Sequence, residues 1–322
     1  MQDRFGRSIE YLRLSVTDRC DLRCTYCMPQ DFRNYEEPEN WLTFDEIERV
    51  AGAFVRLGTS RIRITGGEPL LRRNLADLSA RLSRLDGLKD LSLSTNATQL
   101  ARHAAALKAS GVARLNVSLD SLCAERMHKI TRRDVLPSIL EGLLAAKQHG
   151  FNLIKINMVV MSGVNEDEID DMVAFCLEHH FILRLIEVMP MGESGRSTGF
   201  VDLQPIRQRL QDRHQLVDGL VPGGGPARYL TSPDGKFSIG FITPISRHFC
   251  ATCNRVRLSV DGTLFLCLGH EHKFELRPLL RSGISDAGLE DAIRSAIELK
   301  PERHEFREKP GKLIRIMSAT GG

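Results

Sequence analysis

Two groups of three cysteines stand out in this chain. The first is Cys20, Cys24 and Cys27, spaced C-x3-C-x2-C in CDLRCTYC. Four thiolates close a structural zinc site or saturate a protein-bound iron–sulfur cluster, whereas three leave one metal position open. An iron lacking its protein ligand can take a substrate or cofactor instead; a zinc ion with a distant fourth ligand would use the same thiols. The second group is Cys250, Cys253 and Cys267, spaced C-x2-C-x13-C in CATCNRVRLSVDGTLFLC. His248, His270 or His272 could complete a zinc site there, so spacing alone leaves zinc and iron–sulfur open. Arg255 and Arg257 follow at alternate positions and project from one face of a strand, where two guanidiniums beside a metal suit a phosphate.

These groups need elements to position them. Strand-like runs at 11–16, 61–65, 91–95, 114–119, 154–160 and 182–188 alternate with helical patterns near 43–57, 74–85, 98–110, 134–149 and 166–180. Thr43 with Glu46 reads as a capping box, and Gly111 and Gly150 close two of the helices. Six β–α alternations imply parallel strands and right-handed crossovers. Six is short of eight, so the expected fold is α/β, an incomplete (β/α)6 TIM-type barrel. The turn-rich stretch 221–235 ends the alternation. Runs at 237–243, 255–260 and 264–268, the last two joined by the hairpin signal Asp261-Gly262, read as a small antiparallel unit followed by helices near 275–281 and 285–299. The expected organisation is 1–215 for the barrel and 216–322 for a C-terminal region.

In such barrels chemistry sits at the C-terminal ends of the strands. Those ends carry Thr65-Gly66-Gly67-Glu68-Pro69, Ser94-Thr95-Asn96, Ser118, Asp120 and Met189-Pro190-Met191-Gly192. Paired glycines permit close backbone approach, and a following carboxylate can accept from an ammonium. Arg13, Arg63 and Lys155 lie within strands that would face the barrel interior, where a cation needs an anionic partner.

A formal charge of +3 is too small to argue for nucleic acid. No signal pattern or 18-residue apolar run occurs, so a soluble, cytoplasmic protein without membrane contact is expected. There, eight cysteines read as ligands or buried thiols rather than disulfides, with Cys123 and Cys176 taken as small buried hydrophobes.

The first cysteine loop, with Tyr26 before its last thiol, resembles the radical S-adenosylmethionine (SAM) superfamily. FGRSIEYLRLSVTDRCDLRCTYCMP (5–29), IRITGGEPLLR (62–72), LNVSLDSL (115–122), the 250–267 cluster and the terminal Gly321-Gly322 together resemble its GTP 3′,8-cyclases of molybdenum cofactor biosynthesis over essentially the full length. The resemblance implies two [4Fe-4S] clusters, SAM as cofactor and GTP as substrate of a lyase. It implies that Cys20, Cys24 and Cys27 hold the first cluster and Cys250, Cys253 and Cys267 the second. Tyr26, Gly67, Glu68, Ser118 and Met189 would line SAM; Arg13, Arg63, Ser94, Lys155, Arg255, Val256 and Arg257 would hold GTP. Ser94 departs from the family's usual threonine but keeps the hydroxyl. A homodimer, a flavodoxin- or ferredoxin-type electron donor, and transfer of product to a cyclic pyranopterin monophosphate synthase are implied as well. Two other readings use the same thiols: a SAM-dependent peptide-modifying enzyme with an auxiliary cluster, and a non-enzymatic zinc or iron–sulfur protein.

Overall fold

The computed structural model describes residues 1–308, 311 and 314–321; Gly322 of the terminal pair lies outside the described residues. The six expected strands form as β1 (Tyr11–Ser15), β2 (Arg61–Thr65), β3 (Asp90–Thr95), β4 (Arg114–Ser118), β5 (Ile154–Val160) and β6 (Ile182–Glu187). Helices α1 (Phe44–Arg56), α2 (Leu75–Ser83), α3 (Leu100–Ala109), α5 (Leu136–Gln148) and α6 (Ile169–Glu178) cross between them, with a shorter α4 (Ala124–Thr131) that the sequence pattern did not announce. The Thr43 capping box is present, with Thr43 Oγ1 accepting from the Glu46 amide at 3.1 Å and Glu46 Oε2 from the Thr43 amide at 2.8 Å. Gly111 and Gly150 take positive φ just past α3 and α5, as helix-ending glycines do.

The C-terminal strands differ from expectation in one respect. They contribute antiparallel hairpins, but at both edges of the barrel sheet rather than as one unit. After α7 (Gly192–Ser197) and α8 (Leu203–His214) come β7 (Val217–Gly219), β8 (Arg228–Thr231) and β9 (Ser238–Ile242), and β9 pairs in parallel with β6. Next, β10 (Arg255–Leu258) returns across the molecule to pair in parallel with β1, and carries β11 (Thr263–Phe265) and β12 (Lys273–Glu275) antiparallel beyond it. Among the described residues the sheet order is β12-β11-β10-β1-β2-β3-β4-β5-β6-β9-β8-β7, twelve strands in one sheet that does not close on itself. Helices α9 (Arg277–Arg281) and α10 (Asp286–Glu298) follow. Pairing lies between residues about 240 positions apart, beyond what local periodicity reports.

This register aligns cations. Arg13 on β1 stands opposite Arg257 on β10 and Arg63 on β2, so three guanidiniums occupy adjacent strands at one level. Neighbouring strands lie about 4.8 Å apart, so their side chains are mutual neighbours. The apolar residues between them (Leu12, Leu14, Ile62, Ile64, Val256 and Leu258) pack in the hydrophobic core. Cys176 is fully buried, as expected, but Cys123 is exposed, because it precedes α4 on an outer loop. No helix among the described residues is long and apolar enough to cross a membrane.

Thr43→Ala removes one half of the capping box. It should lower the unfolding free energy by about 1 kcal/mol with an unchanged denaturant slope, as read by urea titration.

Candidate active site

The first cysteine loop leaves β1 and is clamped by the turn after β2. Gly67 donates its amide to the Thr17 carbonyl and Glu68 to that of Arg19, both at 2.8 Å. A Cβ on Gly67 would stand 2.2 Å from the Arg19 oxygen, so only glycine lets the two backbones meet. Asp21 fastens the loop from the other side, accepting from Asn96 Nδ2 at 2.8 Å and Thr98 Oγ1 at 2.6 Å. Tyr26 donates its hydroxyl to Asp120 at 2.9 Å, and Asp120 also accepts from the Val159 amide at 2.8 Å.

The second group is built differently. Buried Glu187, at the end of β6, accepts from the amides of Ile245 (2.9 Å) and Ser246 (3.0 Å) and from the Ser246 hydroxyl, which fixes the approach to Cys250. Arg7 donates to the Cys250 carbonyl at 3.0 Å, and Lys300 Nζ to the carbonyls of Arg255 (3.0 Å) and Leu266 (2.5 Å).

Both cysteine groups border one cavity of about 290 Å³. Its wall holds Tyr26, Gly67, Ser94, Ser118, Met189 and Val256, together with Arg13, Arg63, Arg255 and Arg257. Two expected residues stand outside that wall. Glu68 is fully buried behind it, with its carboxylate accepting from the amides of Leu70 (3.1 Å) and Asn96 (2.6 Å) and from Thr95 Oγ1 (2.7 Å). The Thr95 hydroxyl is thereby engaged, while Ser94 lines the cavity. Lys155 is buried at the start of β5, donating to the Pro222 carbonyl at 2.6 Å and to Tyr229 OH at 3.2 Å.

The acceptor on Lys155 belongs to the turn-rich stretch. Gly223 accepts from Arg114, and Gly224 from Asn254 Nδ2 at 3.4 Å, so Pro222–Gly224 runs across the N-terminal ends of the strands and floors the barrel. At the opposite level, Gly321 enters the interior. Its carbonyl accepts from Arg257 at 2.6 Å and Arg13 at 3.2 Å, and a Cβ there would stand 2.2 Å from Thr65 Oγ1.

Sequence reasoning missed Arg184, Lys300 and His304, all in the cavity wall. Arg184 lies fully buried on β6 and donates to Asn116 Oδ1 at 2.5 Å. Its place inside an apolar strand, the feature that agreed with the resemblance for Arg13, Arg63 and Lys155, is a signal that could have found it.

The electrostatics divide the cavity. Burial, with neighbouring Glu68 and Asp21, raises the Cys20 thiol; burial, with neighbouring Asp120, raises Cys27 to about 12. At the other end burial also acts to raise Cys253, but Lys300 and then Arg255 more than offset it, and its pKa falls. Between the two, burial and the neighbouring guanidiniums push Arg257 down to about 9; Lys155 falls to about 6 by burial beside Arg184, Arg114 and Arg63. Among the described residues, buried N–H groups on Arg63, Arg184 and Arg255 find no acceptor. An anion with several oxygens fits that set.

Metal geometry is equally specific. Among the described residues, no three His, Cys, Asp or Glu side chains gather as one metal ion requires. Three thiols bordering the cavity at each end would suit as donors a multi-iron cluster, in which each thiolate binds a different iron.

Residues 14–176 match the Radical SAM superfamily and 181–306 the Molybdenum Cofactor Synthesis C family. The chain is 48% identical to the GTP 3′,8-cyclase of Ectopseudomonas mendocina, over 99% of this chain and 98% of that one. It belongs to the GTP 3′,8-cyclase family of radical SAM enzymes. It is 47% identical to GTP 3′,8-cyclase 2 of Pseudomonas aeruginosa, over 99% of this chain and 98% of that relative. The fold is shared with Streptococcus suis SuiB bound to S-adenosylmethionine, at a TM-score of 0.59 and 17% identity, covering 89% of this chain and 68% of SuiB.

Burial raises the Glu68 carboxyl to about 7 from an ordinary 4.5. A raised acid favours the fold only while protonated. In the metal-free chain its contribution is therefore full below pH 4.5 and lost as pH rises towards 7. Glu68→Gln should flatten the fall in thermal stability over that window, read by melting temperature against pH.

Proposed function

We propose that this chain is a radical SAM GTP 3′,8-cyclase. It converts GTP to (8S)-3′,8-cyclo-7,8-dihydroguanosine 5′-triphosphate, the first step of molybdenum cofactor biosynthesis. The observation that carries this reading is one cavity bordered by two three-cysteine groups, with a row of buried and partly buried guanidiniums between them.

Cys20, Cys24 and Cys27 would hold one [4Fe-4S] cluster, and Cys250, Cys253 and Cys267 a second. When bound, the first cluster and SAM would supply the radical chemistry needed at the 3′ position of the ribose. The chain itself contributes position. Tyr26, Gly67, Ser118 and Met189 would cradle SAM. Glu68, already holding the β2 and β3 turns together, would support that wall. Arg13, Arg63, Arg255 and Arg257, joined by Arg184, would hold the triphosphate, with Ser94 and Val256 beside it. Lys155 would join them from the barrel floor. Gly321 would keep Arg13 and Arg257 aimed at the substrate. By holding the phosphates, these guanidiniums would fix the position of the ribose and the guanine between the two cysteine groups. The apolar wall excludes water, which protects the radical from side reactions.

The wider assignments follow from this reading. We assign the chain to the cytoplasm as a homodimer with a boundary near residue 215, receiving electrons from a flavodoxin- or ferredoxin-type donor and passing product to a cyclic pyranopterin monophosphate synthase. The shared fold of SuiB, also solved with its precursor peptide SuiA, leaves a peptide substrate as the alternative. A peptide has no use for the row of guanidiniums.

The test is an anaerobic reaction of reconstituted protein with SAM, dithionite and each nucleoside triphosphate in turn. GTP-dependent 5′-deoxyadenosine together with a cyclised guanine nucleotide is expected; SAM cleavage indifferent to GTP overturns the substrate assignment. Arg257→Ala should weaken GTP binding at least tenfold, about 1.4 kcal/mol, while SAM binding is kept, as measured by equilibrium dialysis.

A further inference from the structure

Lys300 is a buried cation for which the reaction above has no task. It follows α10 and is 1% exposed. Its ammonium donates to two main-chain carbonyls, Arg255 O at 3.0 Å and Leu266 O at 2.5 Å. Among the described residues no carboxylate pairs with it. Leu266 immediately precedes Cys267, and Arg255 follows Cys253 by two residues, so the ammonium ties together the two strands that present these thiols. It also lines the cavity. Burying an ammonium against carbonyl dipoles alone is costly unless a negative charge lies nearby.

The surroundings of the two cysteine groups are opposite in sign. Beside the first group, Asp21 adjoins Cys20 with its Oδ1 4.0 Å from the thiol sulfur, and Asp120 accepts from the hydroxyl of Tyr26, the neighbour of Cys27. Beside the second, Lys300 is bonded to the carbonyls of Arg255 and Leu266, and Arg7 donates to the Cys250 carbonyl at 3.0 Å. A cluster held by three thiolates is anionic, and its reduction adds one more negative charge. Cations beside it favour the reduced state, and carboxylates beside it disfavour that state; charge and hydrogen bonding near the sulfurs are what tune such potentials.

We infer that Lys300 is a positioning and charge-compensating residue of the second cluster, and that it holds that cluster's reduction potential above the first cluster's. The inference rests on the second-cluster reading given above. Its consequence is that the first cluster stays the stronger reductant, suited to give its electron to SAM, while the second keeps its place beside the nucleotide.

The experiment is a redox titration of the anaerobic holoenzyme followed by electron paramagnetic resonance. The second cluster's signal is identified as the one lost in Cys267→Ala. Lys300→Gln keeps a hydrogen-bond donor and removes the charge; Lys300→Arg keeps the charge. Lys300→Gln should make reduction of the second cluster about tenfold less favourable, about 59 mV lower for a one-electron couple, leave the first unmoved, and be rescued by Lys300→Arg. Loss of the second cluster's iron in Lys300→Gln, with retention in Lys300→Arg, also supports the inference. An unmoved potential, or loss of the second cluster in both variants, overturns it. Wild-type protein with four irons per chain and no signal lost in Cys267→Ala would instead overturn the second-cluster reading itself.

Discussion

Positive charge buried in the barrel is the constraint around which this molecule is arranged. Arg63, Lys155 and Arg184 are almost wholly buried, and Arg13, Arg255 and Arg257 stand partly buried in the cavity wall. A parallel barrel is normally filled with branched apolar side chains. Like charges at strand spacing repel, and desolvation adds to the cost. The pKa values of Arg257, Arg63 and Lys155, all pushed down, express that strain. Such an interior is stable only with acceptors supplied from elsewhere in the chain or from a ligand.

The chain supplies neutral acceptors and few carboxylates. Pro222 brings a carbonyl to Lys155 from below, and Gly321 brings one to Arg257 and Arg13 from above; Arg114, at the floor, is paired with the Asp90 carboxylate. Asn116 brings its amide oxygen to Arg184. A carbonyl dipole satisfies an N–H without cancelling the charge, so the interior keeps a positive field. A carboxylate at these places would neutralise it and compete with a phosphate for the same guanidiniums. The glycines have the same logic: at Gly321 and Gly67 the absence of a Cβ lets main chain come where a side chain would collide.

Local patterns made much of this readable. The six central strands, the Thr43 cap and the two cysteine groups each have a short-range signature, while Arg13, Arg63 and Lys155 were singled out by the family resemblance, with which their place in strands agrees. What was not readable is what depends on distant pairing. The hairpin signal at Asp261-Gly262 is local and correct, but nothing near residue 255 reports that β10 will lie against β1. For the same reason the Pro222–Gly224 stretch read as a simple break, although its carbonyls floor the barrel. Glu68 shows what a motif leaves out: both oxygens of its carboxylate accept hydrogen bonds from the β3 turn, a contact that only the folded pairing of β2 and β3 creates. Lys300, after the last helix, carries no motif, and only the fold brings it under Cys253 and Cys267.

The parallel pairing of β10 with β1 therefore carries more than sheet extension. It places Arg257 level with Arg13, and sets the loop that begins at Cys250, before β10, at the end of the barrel opposite the loop that begins at Cys20, after β1, with one cavity between them. Strand side chains alternate, so a slip of one residue in that register would turn Arg255 and Arg257 away from the cavity and bring Val256 and Leu258 inward. Hydrophobic burial guards against the slip, since Val256 and Leu258 pack in the core beside Leu12 and Leu14. The apolar side chains of β10 thus set the register that holds the cations in place. The cations in turn give an anionic substrate a reason to sit between two anionic clusters, where repulsion from both ends would otherwise exclude it.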